Sequence, residues 1–268
     1  MVRVGLVGCG TIGSRLALAL QRNYPRTARL VALHDVHPPH ALALQRRLHP
    51  RPPVTSFPEL LRTSDLVLEA ASAGVAAEVA SRALRANRSV FVMSVGGLLL
   101  NTSWRTLARR SRGKVYIPSG ALAGLDGVKA MAVGRIRRIR LTTRKPPRAL
   151  ASAPGLRRRR IRLERLRRPL VVFDGTPRDV VRAFPQNTNI AAALTLAAGV
   201  SAARPRIRII ADPSVRRNIH ELEVESDCGR IQCRVESRPS ANPKTSELAV
   251  RSAVATLGRM FDSLQIGT

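Results

Sequence analysis

The sequence predicts an α/β fold, with an N-terminal doubly wound Rossmann sheet of parallel strands and an α+β second domain whose sheet is mainly antiparallel. Three observations carry this. A glycine turn, Gly8-Cys9-Gly10-Thr11-Ile12-Gly13, follows a β-rich run at residues 2–7 and opens a helical pattern at residues 14–22. Strand-like and helix-like segments then alternate to about residue 117. Beyond that point the strand-like segments lengthen, several alternate apolar with polar residues, and hairpins replace helical crossovers.

In chain order, residues 30–35 read as a second strand ending in the carboxylate of Asp35, with a Pro/His-rich turn at 36–40 and a helix after it. A helix at 58–62, a strand at 65–69, a helix at 75–86 and a strand at 89–94 extend the same alternation. The later strands fall at 136–143, 170–173, 206–211, 220–225 and 230–237, with helices at 177–183 and 189–200 and a last one at 245–262. The expected organisation is a dinucleotide-binding domain at 1–110, an α+β catalytic and oligomerisation domain at 111–240, and a C-terminal helix within 241–268 that packs back on the first domain. The active site is expected in the cleft outside the carboxyl ends of the parallel strands.

A chain of 268 residues can bury one large core or two modest ones. Its charge is unusual: 46 Lys+Arg against 17 Asp+Glu gives +29, and only Lys114, Lys129, Lys145 and Lys244 are lysines. Fifteen of the cations lie between Arg135 and Arg168. Nucleic acid is therefore weighed as a partner, yet 3% aromatic content leaves few platforms for base stacking, and the stretch 151–168 reads as a solvated variable loop. Cys9, Cys228 and Cys233 are odd in number and lack the neighbours for a zinc site, and the N-terminus has no signal-peptide pattern. A reduced, cytoplasmic protein with no metal is expected. The longest apolar stretch, 190–200, is well short of the ~20 residues a membrane span needs.

The glycines of the fingerprint serve different ends. Gly8 suits the tight turn, Gly10 the close approach of backbone to a pyrophosphate, and Gly13 the packing of helix on strand. Gly8, Gly10, Thr11, Ile12 and Gly13 form the expected cofactor loop. Asp35 lies 22 residues past Gly13, where a carboxylate accepts both ribose hydroxyls and repels a 2′-phosphate. This favours NAD, with NADP possible if neighbouring arginines accommodate the phosphate. A small-residue loop at 118–127 and an amide-rich segment at 184–189 precede helices and suit contact with a flat ring; a plain turn at the first and helix capping by Asn189 at the second are the simpler alternatives.

Several blocks together resemble the L-aspartate dehydrogenase family. They are the glycine fingerprint, Glu69-Ala70-Ala71-Ser72, Ser94-Val95-Gly96-Gly97, the loop at 118–126, Thr143-Arg144-Lys145-Pro146-Pro147, Phe173-Asp174-Gly175-Thr176, the segment 184–189, Ile209-Ile210-Ala211-Asp212-Pro213, Asn218-Ile219-His220-Glu221 and Asn242-Pro243-Lys244-Thr245-Ser246. They keep the family's order over nearly the whole chain. The resemblance implies a homo-oligomeric enzyme, dimeric or larger, that oxidises L-aspartate to iminoaspartate with reduction of NAD or NADP, the imine feeding NAD synthesis or hydrolysing to oxaloacetate and ammonia. It places the catalytic histidine at His220 and the nicotinamide contacts at Ala123 and Asn189.

That chemistry needs a base titrating near neutrality, which histidine's reference value of about 6.5 supplies. Two substrate carboxylates also need cations, for which Arg144, Lys145 and Lys244 stand in the motif blocks. Alternatives are another two-domain Rossmann oxidoreductase acting on a different small acid, and a non-catalytic dinucleotide sensor that binds nucleic acid.

Overall fold

A computed structural model of the chain describes residues 1–158, 161–185, 188–199, 203–240 and 246–266. They form two compact units: Met1–Pro118 with Ala253–Gln265, and Ser119–Ser252.

In the first unit, strands β1 (Val2–Val7), β2 (Ala28–His34), β3 (Leu66–Glu69), β4 (Ser89–Val92) and β5 (Val115–Tyr116) lie in the order β2-β1-β3-β4-β5, every neighbouring pair parallel. Parallel neighbours cannot be joined by tight turns. Helices α1 (Thr11–Asn23), α2 (Pro38–Gln45), α3 (Phe57–Thr63), α4 (Ala73–Arg85), α5 (Gly97–Leu100) and α6 (Ser103–Arg110) accordingly occupy the connections. Val4 and Leu6 of β1 and Leu68 of β3 are buried with Leu16 and Leu20 of α1, and Ala253 and Leu257 join the same core from a C-terminal helix that ends at Gly258. Helix α2 begins at Pro38, inside the stretch that the sequence reads as a turn. Proline there removes only an amide that a helix start leaves unbonded anyway, so the Pro/His-rich run is a helix start.

The second unit contains helices α7 (Leu125–Met131), α8 (Pro154–Arg158), α9 (Pro177–Ala183) and α10 (Asn189–Ala197) and the start of α11 (Glu247–Gly258). Its strands β6 (Ile136–Lys145), β7 (Leu170–Gly175), β8 (Arg206–Ala211), β9 (Asn218–Ser226) and β10 (Arg230–Ser237) form one sheet in the order β10-β9-β6-β8-β7. β6 and β8 are parallel and the other pairs antiparallel. The sheet is two-faced, as strand alternation requires. Ile139, Leu141, Ile207, Ile209, Leu222 and Val224 enter the core, while Arg138, Arg206 and Arg208 pair with Glu223 and Asp174 on the other side.

The arginine-rich stretch is solvated through its cations, and from residue 161 to 169 it has no helix or strand, but it is also anchored to the core. Leu150, Ala153, Leu156 and Leu163 are buried in the second core, and α8 lies among them. Leu150, Ala153 and Leu156, spaced by three, and Leu163 further on bind the stretch to the unit, while Arg157, Arg162, Arg165, Arg167 and Arg168 are exposed. Arg159 and Arg160 lie outside the described residues.

Candidate active site

The fingerprint loop joins β1 to α1. Gly8 adopts φ +91°, and a Cβ there would meet the Ala70 and Ala71 backbone at 2.6 Å. At Gly13 a Cβ would overlap the Gly8 carbonyl, so helix and turn pack only through glycine. Gly10 is different, since among the described residues nothing apart from its chain neighbours lies within 4 Å of where its Cβ would be. That open side leaves room for a group as large as a pyrophosphate to approach the backbone. Among the described residues no side chain caps α1, whose first amides therefore point to the same space, with Thr11 exposed and Ile12 half-buried beside it. A pocket of 460 Å³ lies alongside, bounded by Gly8, Gly10, Asp35, His37, His40 and Phe57.

Asp35 lines this pocket and also holds its wall. Its carboxylate accepts the Cys9 amide at 2.7 Å and the His37 amide at 2.8 Å, and His40 Nδ1 stands 3.7 Å away. Burial, with Asp35 beside it, pushes the Cys9 thiol up to about 12, so the fingerprint cysteine stays protonated and unreactive.

Glu69, to which sequence reasoning gave no role, braces the loop whose Ala70 and Ala71 line the pocket. It ends β3 fully buried and accepts the amides of Ala71 and Ser94, both at 2.9 Å, which ties together the loops after β3 and β4. Burial raises its carboxyl above the usual range against the pull of those amides. The available signal was a carboxylate closing the apolar run Leu66-Val67-Leu68.

In the second unit, Thr143 of β6 lies directly opposite His220 of β9. Both point to the core face, and so does Lys145, two residues beyond Thr143. The three side chains are buried, and Thr143 Oγ1 is 3.0 Å from His220 Nδ1. Burial pulls the Lys145 amine down to about 8. Burial and the neighbouring Lys145 together push His220 down to about 3. The expectation of a histidine titrating near neutrality is therefore corrected: burial and Lys145 keep the ring uncharged, and the group brought down toward neutral pH is the lysine.

Ala123 is exposed in the loop before α7, and Asn189 is exposed as the first residue of α10. Residue 188, not Asn189, occupies the cap position of α10, so capping does not explain the asparagine. The preceding loop faces this helix, because a Cβ on Gly120 would stand 3.3 Å from Ile190. Arg144 is not brought to His220. Strand alternation turns it to the opposite face of the sheet, where it lies 3.5 Å from Asp212 and from Glu221. Lys244 lies outside the described residues, as do Gln186 and Asn187.

Comparison with known proteins follows the same division of the chain. Residues 8–118 match the family model described as homoserine dehydrogenase, NAD binding domain, and residues 126–260 match the one described as aspartate dehydrogenase, C-terminal. The L-aspartate dehydrogenase of Methanosarcina barkeri is 40% identical over 273 residues, covering 100% of both chains. The chain belongs to the aspartate dehydrogenase family. It is therefore an oxidoreductase whose first unit is a nicotinamide-dinucleotide-binding domain. The L-aspartate dehydrogenase of Bradyrhizobium diazoefficiens is 38% identical, with 100% of this chain and 94% of that one covered. In fold the chain is similar to the crystal structure of aspartate dehydrogenase from Thermotoga maritima, at a TM-score of 0.74 and 22% identity over 100% of each chain. A myo-inositol dehydrogenase from Lactobacillus casei shares the fold less closely, at a TM-score of 0.55 and 14% identity over 90% of this chain and 76% of that one.

Proposed function

We propose that the protein is an NAD(P)-dependent L-aspartate dehydrogenase that converts L-aspartate to iminoaspartate, which feeds NAD synthesis or hydrolyses to oxaloacetate and ammonia. The observation that carries this reading is the buried Lys145 and His220 pair on one face of β6 and β9, in a chain of this family. The nicotinamide cofactor supplies the hydride acceptor. Gly8, Gly10, Thr11, Ile12 and Gly13 hold its pyrophosphate, Asp35 its adenosine ribose, and Ala123 and Asn189 border its nicotinamide ring. Asp35 favours NAD over NADP, because a fixed carboxylate repels a 2′-phosphate.

Loss of hydride from Cα requires a neutral α-amine, so a proton must first leave the substrate ammonium. An uncharged His220 is the form able to take it. Lys145 on the same face supplies a cation for a substrate carboxylate. Pairing with that carboxylate weakens the repulsion between Lys145 and the ring, so substrate binding itself raises the basicity of His220. Arg144, held on the far face by Asp212 and Glu221, has no part in this step.

His220→Ala tests the reading. Aspartate turnover is expected to fall by about 10² to 10⁴, the usual cost of removing a general acid-base group, while NAD affinity measured by fluorescence titration stays unchanged. A variant that is folded and turns over at the wild-type rate would make His220 a core residue and overturn the assignment.

A further inference from the structure

The contact between Thr143 and His220 has a chemical consequence beyond packing. The two side chains leave adjacent antiparallel strands at directly opposed positions, both almost wholly buried, with Thr143 Oγ1 3.0 Å from Nδ1 of the ring. Burial, with Lys145 adding to it, keeps that ring uncharged. An uncharged imidazole carries one proton on one of its two nitrogens, and its position decides whether the other nitrogen accepts or donates.

We propose that Thr143 is the positioning residue that sets the tautomer of His220: its hydroxyl oxygen accepts the Nδ1–H, leaving Nε2 as the bare nitrogen that exchanges a proton with the substrate amine. The proposal rests on the reading of His220 as the proton-handling group. Nδ1–H donates to the hydroxyl both before and after Nε2 gains its proton, so the ring keeps one orientation through the transfer. A neutral partner also suits this site better than a carboxylate would. A carboxylate beside Lys145 would pair with the ammonium and compete with the carboxylates of the substrate. The threonine orients the ring without adding a charge.

The test uses Thr143→Val and Thr143→Ser, each alone and with His220→Asn. Valine keeps the shape and β-branching that a buried strand position accepts and removes only the hydroxyl. Thr143→Val is expected to lower kcat for aspartate oxidation by about tenfold or more with NAD affinity unchanged, and Thr143→Ser to recover most of that rate. In the His220→Asn background Thr143→Val should cost nothing further, since its effect runs through the ring. Nitrogen chemical shifts of His220 should show a protonated Nδ1 and a bare Nε2 in the wild type, and a mixture in the valine variant.

Wild-type turnover by Thr143→Val would overturn the proposal, and so would equal losses in the valine and serine variants, which would mark a packing role. An undiminished valine effect in the His220→Asn background would show that Thr143 acts through something other than the histidine. Wild-type turnover by His220→Asn alone would overturn the role of His220 itself, and this inference with it. A loss there beside an unaffected Thr143→Val overturns only the inference.

Discussion

A lysine amine that titrates at about 8 makes binding of an anionic substrate a proton-linked event. Lys145 is held low by burial, and a carboxylate placed against it favours the ammonium and raises its pKa. Between about pH 8 and the free-lysine value of about 10.4, aspartate binding should therefore take up a proton, and the aspartate KM should rise with pH by up to about tenfold per unit. Calorimetry in buffers of different ionisation enthalpy measures the uptake, and Lys145→Met should abolish both effects. A KM that is flat over this range would contradict the role of Lys145. The proposed residue roles were unevenly legible in the sequence. His220, Ala123 and Asn189 came from resemblance to a family, and the fingerprint glycines from their spacing. Lys145 and Arg144 are adjacent cations whose parity on β6 puts them on opposite faces. The depressed basicity of His220 was not legible at all, because it depends on burial and on Lys145, which lies far from it in sequence.

Elements followed their periodicity where it was strong and departed from it where turn chemistry decided. The alternation of strands and helices up to residue 117 and the two-faced strands beyond it were readable because each is a local pattern. The parallel pairing of β6 with β8 was not, since register between strands so far apart in sequence leaves no local trace. At the end of β2, Asp35 anchors the fingerprint loop through the Cys9 amide, and the proposed function gives the same carboxylate the cofactor ribose. Asp35→Ser should therefore do two things. The kcat/KM ratio should shift toward NADP as repulsion of a 2′-phosphate is lost, and binding of both dinucleotides should weaken, because a charge-assisted hydrogen bond to the loop is worth about 1.5–3 kcal/mol. Initial rates with each cofactor measure the ratio. A wild type that strongly prefers NADP, or a variant with an unaltered ratio, would show that Asp35 does not face the ribose.

At the scale of the whole molecule, the excess of arginine is a surface property laid over an ordinary two-core fold. Part of it faces acidic partners across the outer side of the second sheet, where exposed pairs contribute little to stability and serve mainly solubility. Charge raised nucleic acid as a partner to be weighed without favouring it; the order of small motifs along the chain pointed to an amino-acid dehydrogenase, and the chain matches the aspartate dehydrogenase family. The most direct measurement is an assay of the purified protein with NAD and with NADP, following the near-ultraviolet absorbance of reduced nicotinamide. L-Aspartate should drive cofactor reduction, faster with NAD than with NADP, while D-aspartate gives none and L-homoserine far less. Absence of aspartate-dependent reduction with either cofactor from about pH 7 to about pH 10, where Lys145 and the substrate amine pass through their titrations, would contradict the proposed activity.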